Sequence, residues 1–232
     1  MQVFNIRALM RHLSVMLFAL VPCVLFAQAV VPQTLVSQDG KYMLKVDEIQ
    51  HRALAIDLQT NSIVRQLTLQ NKDGKLSKLS ALYNNPKRQS FILVLNDIGE
   101  LWELSYDPKA EPVYQGWVHD YQMGEGIADT QLFAPRKTLL SMALDCFILD
   151  PQRPYVAGAN QYGKFQIINL DIRRQIVEHQ FAHPVYPCLS KLENTGATSV
   201  LHLKMKSAAA DNIDTTSSII LIDMKTGQRI TP

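Results

Sequence analysis

The chain has 232 residues with 23 lysines and arginines against 21 aspartates and glutamates, so its formal charge of +2 is close to balance. No Lys/Arg cluster is long enough to form the basic face that a phosphate backbone requires, which excludes a nucleic-acid partner.

In chain order, Arg7, Arg11 and His12 precede an apolar run from Leu13 to Phe26 that ends in Ala27-Gln28-Ala29. A basic n-region, an apolar h-region and an A-x-A site make a secretory signal peptide over 1–29, which places residues 30–232 in the periplasm. The run is short for the roughly 30 Å of hydrocarbon in a bilayer, so a retained membrane anchor is the lesser alternative. Pro22 stands where a lipoprotein site would place a small residue before Cys23. Cleavage removes Arg7 and Arg11 and leaves 21 basic against 21 acidic side chains. Cys146 and Cys188 remain. They can pair in an oxidising compartment, or stay as small buried hydrophobes. No C-x-x-C-H occurs, which excludes c-type haem attachment, and no C-x-x-C pair argues for zinc.

From residue 36 onward four segments share one plan: strand, turn, strand, polar corner, strand. The first, 36–70, turns at Asp39-Gly40 and Gln59-Thr60-Asn61. The second, 79–117, turns at Asn84-Asn85-Pro86, Asp97-Ile98-Gly99 and Asp107-Pro108. The third, 145–181, turns at Asp150-Pro151, Tyr162-Gly163 and Asp171; the fourth, 190–232, at Asn194-Thr195-Gly196 and Lys225-Thr226-Gly227. Asp57, Ser105, Asn169 and Asp223 take equivalent corners, at a spacing near that of propeller blades with long loops. Short β-rich runs with such punctuation predict an all-β fold, a β-propeller-like domain of about four recognisable blades. A β-sandwich is the alternative, but it needs no internal repeat. Pro135 breaks "LFAPRKTLLSMALDCF", which leaves at most a short helical turn from Lys137 to Met142. Trp102, Trp117, Tyr106 and Tyr114 are expected in the core.

From Phe91 onward, "FILVLNDIGELWELSYDPKAEPVYQGWVHDYQMGEGIA", "FAPRKTLL", "LDCFILDPQRPYVAGA" and "INLDIRRQI" form a composite pattern. It resembles the eight-bladed haem d1 propeller domain of the cytochrome cd1 nitrite reductase type, and within that family NirF-like proteins of haem d1 biosynthesis. The likeness runs from about Leu76 to Gly227 and covers about half of such a domain, a partial or half propeller. The resemblance implies a bound haem d1 or related tetrapyrrole. It implies that His183 and His202 stand at two distal-side histidine positions and approach the metal. Arg136 and Lys204 match basic positions able to face the macrocycle's acidic side chains, and His119 would act as the acid/base if the protein is catalytic.

Taken as residues alone, these side chains have plainer alternatives. On a strand His119 and Asp120 point to opposite faces, so Asp120 orients His119 only where the backbone turns. Gly124-Glu125-Gly126 lets the backbone approach a ligand or simply turn. Asp57, Asp171 and Asp223 are turn acids, not paired catalytic carboxylates. No nucleophile elbow, phosphate loop or metal-ligand spacing is present. The expected function is binding, maturation or handover of a modified haem. The alternatives are a non-enzymatic propeller module that binds a partner protein, and a truncated relative without ligand. Expected partners besides the tetrapyrrole are a second propeller half, a homodimeric copy or another protein.

Overall fold

The structure is a computed structural model that describes residues 33–115, 127–205 and 218–230. The chain divides into two compact units, 1–30 and 31–232, and the described residues all belong to the second. The leader, Trp117, His119, Asp120 and Gly124 to Gly126 lie outside the described residues.

Among the described residues, four four-stranded antiparallel sheets form four blades. Blade 1 is β1 (Thr34–Val36), β2 (Tyr42–Asp47), β3 (Arg52–Asp57) and β4 (Ser62–Thr68). Blade 2 begins with β5 (Ala81–Asn85), β6 (Ser90–Leu95) and β7 (Glu100–Ser105). The chain then makes a separate two-stranded sheet of β8 (Val113–Gln115) and β9 (Ile127–Asp129) before completing blade 2 with β10 (Pro135–Leu139). Blade 3 is β11 (Cys146–Leu149), β12 (Tyr155–Ala159), β13 (Lys164–Asn169) and β14 (Arg174–Gln180). Blade 4 is β15 (Val185–Asn194), β16 (Ser199–Met205), β17 (Ser218–Asp223) and β18 (Arg229–Ile230). First strands neighbour one another, β1 beside β5 and β11 beside β15, while the outer strands β10 and β14 meet. The all-β, propeller-type expectation holds, with one strand more per blade than the three-strand plan.

The polar corners are built as their residue types demand. Asp57 Oδ1 accepts from the N–H groups of Gln59 and Thr60, Asn169 Oδ1 from Asp171 and Ile172, Asp223 Oδ1 from Lys225 and Thr226, and Ser105 Oγ from Asp107. Each ends the third strand of its blade and satisfies the backbone donors that the turn releases. The segment from Lys137, expected as a helical turn, instead begins as strand: β10 pairs with β7 from Pro135 opposite Leu104 to Leu139 opposite Glu100. Proline is tolerated there because it is the first residue of an outer strand. The helical element among the described residues is the 3-10 turn Asn96–Ile98, ended by Gly99 at φ 64°.

Apolar faces hold the blades together. Leu44, Val46, Ala53 and Ala55 of blade 1 pack on Phe91, Leu93, Leu95, Trp102 and Leu104 of blade 2. Ile92, Val94 and Leu101 of blade 2 meet Phe147, Val156 and Ile168 of blade 3, whose Ala157, Phe165 and Ile167 meet Leu201, Leu203 and Ile222 of blade 4. Each fully buried Leu, Ile or Phe contributes about 1.5–3 kcal/mol. Trp102 and Tyr106 are core as expected, but Tyr114 is 64% exposed, because it stands on the small β8–β9 sheet rather than within a blade. Cys146 and Cys188 form a disulfide that joins the first strands of blades 3 and 4. It clasps a bulge in β15, where the register with β16 shifts between Tyr186 and Lys191.

Candidate functional site

Two clefts lined by described residues open between blades 2 and 3, away from the histidines of blade 4. One, of about 510 Å³, is lined by the first-to-second strand turns of both blades, including Lys87, Arg88, Gln152 and Arg153. A second, of about 440 Å³, is lined by Arg136, Glu111, Asp107, Asp171 and Arg173. Arg88 and Asp171 border both. Arg88 binds Glu103 in a fork, Nε to Oε1 at 2.6 Å and Nη2 to Oε2 at 3.1 Å, and reaches Asp171 Oδ1 with Nη1 at 2.5 Å. Ser90 Oγ donates to Glu103 at 2.9 Å. The Glu103 side chain is 3% exposed. Burial alone would lower the pKa of Arg88, but Glu103 and Asp171 more than offset it and raise the pKa. This network latches blade 2 to blade 3, and its one cation, Arg88, is answered by two carboxylates.

Arg136 lies beside that latch, in register with Glu103, and its Nη2 donates to the Glu111 carbonyl at 2.7 Å. His183 belongs to the connection between β14 and β15, at the other end of the blades, where its carbonyl closes over Gly163. Its ring is half-buried and has no hydrogen-bond partner among the described residues. His202 is in the middle of β16, its side chain 29% exposed, and its Nε2 lies 2.9 Å from Oε2 of Glu193 on β15. Lys204 follows on the same strand face. The two histidines and Lys204 therefore share blade 4 and its entry, whereas Arg136 belongs to the opposite end of blade 2. His119 lies outside the described residues; the strands that flank it, β8 and β9, follow the third-strand corner Ser105, on the Arg136 end.

Two features escaped the sequence. Glu103 sits in "ELWELS", a strand buried on both faces, and a charge in such a strand demands a counter-charge; that signal was legible. Its partner Arg88 was not, since it comes from a turn and nothing local marks it. Glu193, an exposed acid on β15, meets His202 only through the pairing of β15 with β16, which nothing local marks.

No family model matches the chain. Over 137 residues, 59% of the chain, it is 28% identical to the dihydro-haem d1 dehydrogenase of Pseudomonas aeruginosa, and the match covers 24% of that protein. A solved structure titled dihydro-haem d1 dehydrogenase NirN in complex with DHE superposes with a TM-score of 0.59 at 21% identity, covering 85% of this chain and 36% of that one. The chain resembles the haem d1 propeller family in sequence and in fold. Hydrazine synthase of Kuenenia stuttgartiensis superposes with a TM-score of 0.49 at 11% identity, over 89% of this chain and 50% of that one. The haem d1 propeller-like chain spans about a quarter of the length of its curated relative.

The residues of blade 4 fit an iron tetrapyrrole in kind. No cluster of three or more His, Cys, Asp or Glu placed to hold a metal ion occurs among the described residues. An iron tetrapyrrole brings four nitrogen donors of its own and asks the protein for an axial one. A neutral imidazole that donates from one ring nitrogen to a carboxylate can offer the other to a metal, and Nε2 of His202 lies 2.9 Å from Oε2 of Glu193.

Proposed function

We propose that the protein binds a modified haem of the d1 type, outside the cytoplasm, for maturation or handover. The observation that carries this is the 28% identity over 137 residues to a dihydro-haem d1 dehydrogenase. The imidazoles of His183 and His202 would serve the iron, and lysine side chains of blade 4 the carboxylates. When bound, the macrocycle supplies the redox-active iron and the conjugated system. The chain's own residues bind, orient it and limit its access to water. If a step on the macrocycle's side chains is catalysed, His119 is the acid/base assigned to it.

Absorbance titration with haem and with d1-type haem tests this, beside a His119→Ala, His183→Ala, His202→Ala triple variant. A Soret shift in the wild type that is lost in the variant is expected. No shift with either pigment, at protein well above micromolar, retires the haem reading. Export is tested separately: processing after Ala29 and recovery from the periplasmic fraction are expected, and an intact N-terminus in the cytoplasm refutes it.

A propeller module that works through its surface is favoured by one observation. The side of blade 1 turned away from blade 2 carries Met43, Leu54 and Ile56 beside the exposed Ile63. A pigment-free protein that purifies with a bound partner would support it.

A further inference from the structure

The strands β1, β5 and β11 keep a continuous register with the second strands of their blades, whereas β15 does not. It steps from Tyr186, opposite Lys204, to Lys191, opposite His202, so that Pro187 to Ser190 stand against Leu203 alone. Ser190 closes the neck of this bulge: its Oγ donates to the Tyr186 carbonyl at 2.7 Å and accepts from the Lys204 N–H at 3.0 Å. Strand pairing therefore resumes without help from the disulfide. The disulfide is attached at the tip, where Cys188 is exposed and Leu189 is 48% exposed. Bulges serve to re-aim a side chain, and this one carries Cys188 across to Cys146 on β11 of blade 3.

The two cysteines of the bond are not equivalent. Cys188 is exposed, while Cys146 is half-buried and pairs in register with Ala159 of β12. The Cys188 N–H donates to Cys146 Sγ at 3.1 Å. In thiol–disulfide exchange the attacked sulfur takes the new bond and the other leaves as a thiolate, faster when that thiolate is stabilised. A hydrogen bond to the charged form is such a stabilisation. Access favours attack at Cys188, and the N–H group favours departure of Cys146, so both select the same direction. Exposed disulfides are the labile, regulatory or catalytic ones, whereas purely structural bonds resist exchange.

We propose that Cys146–Cys188 is an exchange-active disulfide reduced by a dithiol, with Cys188 as the sulfur attacked and Cys146 as the leaving thiolate. A thiolate of the reductant attacks Cys188 Sγ and forms a mixed disulfide there. The bond between the two cysteines breaks with its electron pair on Cys146. The reductant's second thiolate then attacks its own sulfur in the mixed disulfide and expels Cys188. Both cysteines end as thiols, having taken two electrons and two protons, and the reductant ends as a disulfide; an oxidised dithiol runs the steps in reverse. Reduction unties the tip of the bulge from blade 3. Ser190 still holds the neck, and Ala157, Phe165 and Ile167 still pack on Leu201, Leu203 and Ile222, so the blades stay joined. The exchange needs no bound pigment and is independent of the haem reading.

The test treats the purified, oxidised full chain with dithiothreitol or with reduced thioredoxin at equal dithiol and without denaturant, which distinguishes a free reductant from a protein-borne one. N-ethylmaleimide mass shifts count the thiols released, and tryptophan fluorescence follows the fold. Reduction within about tenfold of the rate in the urea-unfolded chain, with fluorescence unchanged, is expected, because an exposed bond reacts without opening of the fold. Reduction that waits for denaturant, or that runs in step with loss of the native fluorescence, overturns the proposal and leaves a structural staple. Direction is read with glutathione, a monothiol, quenched early with N-ethylmaleimide. Peptide mapping is expected to find glutathione on Cys188 and maleimide on Cys146. The opposite placement, or an even split, refutes the roles assigned to the two sulfurs.

Discussion

Removing the Arg88 side chain isolates one charge between two blades. In Arg88→Ala, Glu103 loses both arms of the fork and, among the described residues, keeps the Ser90 hydroxyl, in a site where its side chain is 3% exposed. Stripping one partner from a buried ion pair costs about 3–5 kcal/mol, because the remaining charge stays desolvated. That is a large share of the roughly 5–15 kcal/mol by which a domain is folded. The pair itself is worth far less than its rupture. At the position of Glu103, blades 1, 3 and 4 carry Ala55, Ile167 and Leu221, so Arg88→Met with Glu103→Leu restores an apolar junction. The double variant is expected within about 1–2 kcal/mol of wild type. Asp171 is 57% exposed, and Asp171→Ala is expected to cost about 1 kcal/mol at most. Urea unfolding with the disulfide intact measures all four chains, using the midpoint at constant slope. An Arg88→Ala cost below about 1 kcal/mol, or a double variant as weak as the single, would falsify the assignment of this network as a buried latch.

Three further outcomes follow from the same structure. The Cys146–Cys188 bond spans a sequence separation of 42, and in the chain-entropy model such a loop is worth about 4 kcal/mol. Unfolding with and without reductant is expected to differ by that order, and equal midpoints would show the bond to be energetically idle. Asp129 is held below its usual pKa by the hydrogen bond from Arg65, against burial, and burial is outweighed at Asp223 by the Thr198 hydroxyl and the turn N–H groups of Thr226 and Lys225. A lowered folded pKa means stability that is complete above the unfolded value near 3.8 and lost as pH falls through the folded one. Acid titration of Arg65→Ala is expected to show a shallower loss than wild type below that pH; parallel curves would count against the pairing. Gly163 sits at φ 78°, and a Cβ there would come within 2.6 Å of the Phe181 carbonyl and 2.9 Å of that of His183. Gly163→Ala is therefore expected to cost about 2 kcal/mol or more and to displace the His183 connection, read by thermal melting together with the pigment titration.

The blades were legible because their punctuation is chemical: an Asp or Asn at a corner binds the backbone it interrupts, and that signal survives in any context. The fourth strand of each blade was harder, since outer strands such as β14, "RQIVEHQ", are half-solvated and lack clean alternation. The stretch from Lys137 leaves room for a short helical turn when read locally, whereas its pairing with β7 makes it strand. The proposed site divides in the same way. His183 and His202 could be named from a resemblance, but that His202 belongs to a face shared with Lys191 and Glu193, while Arg136 belongs to another end, depends on register. Register is set by pairing between distant segments, which no local window contains.

Blade 2 leaves its sheet at Ser105 and rejoins it at Pro135, opposite Leu104, one step from where a tight corner would have returned it. The sheet keeps its pairing as though nothing intervened. For a flexible loop each doubling of length costs only about 0.6 kcal/mol in closure entropy. The junction between β7 and β10 is thus a socket that can accept longer or shorter inserts while the blades on either side stay in step. New chemistry can be tried there without renegotiating the fold.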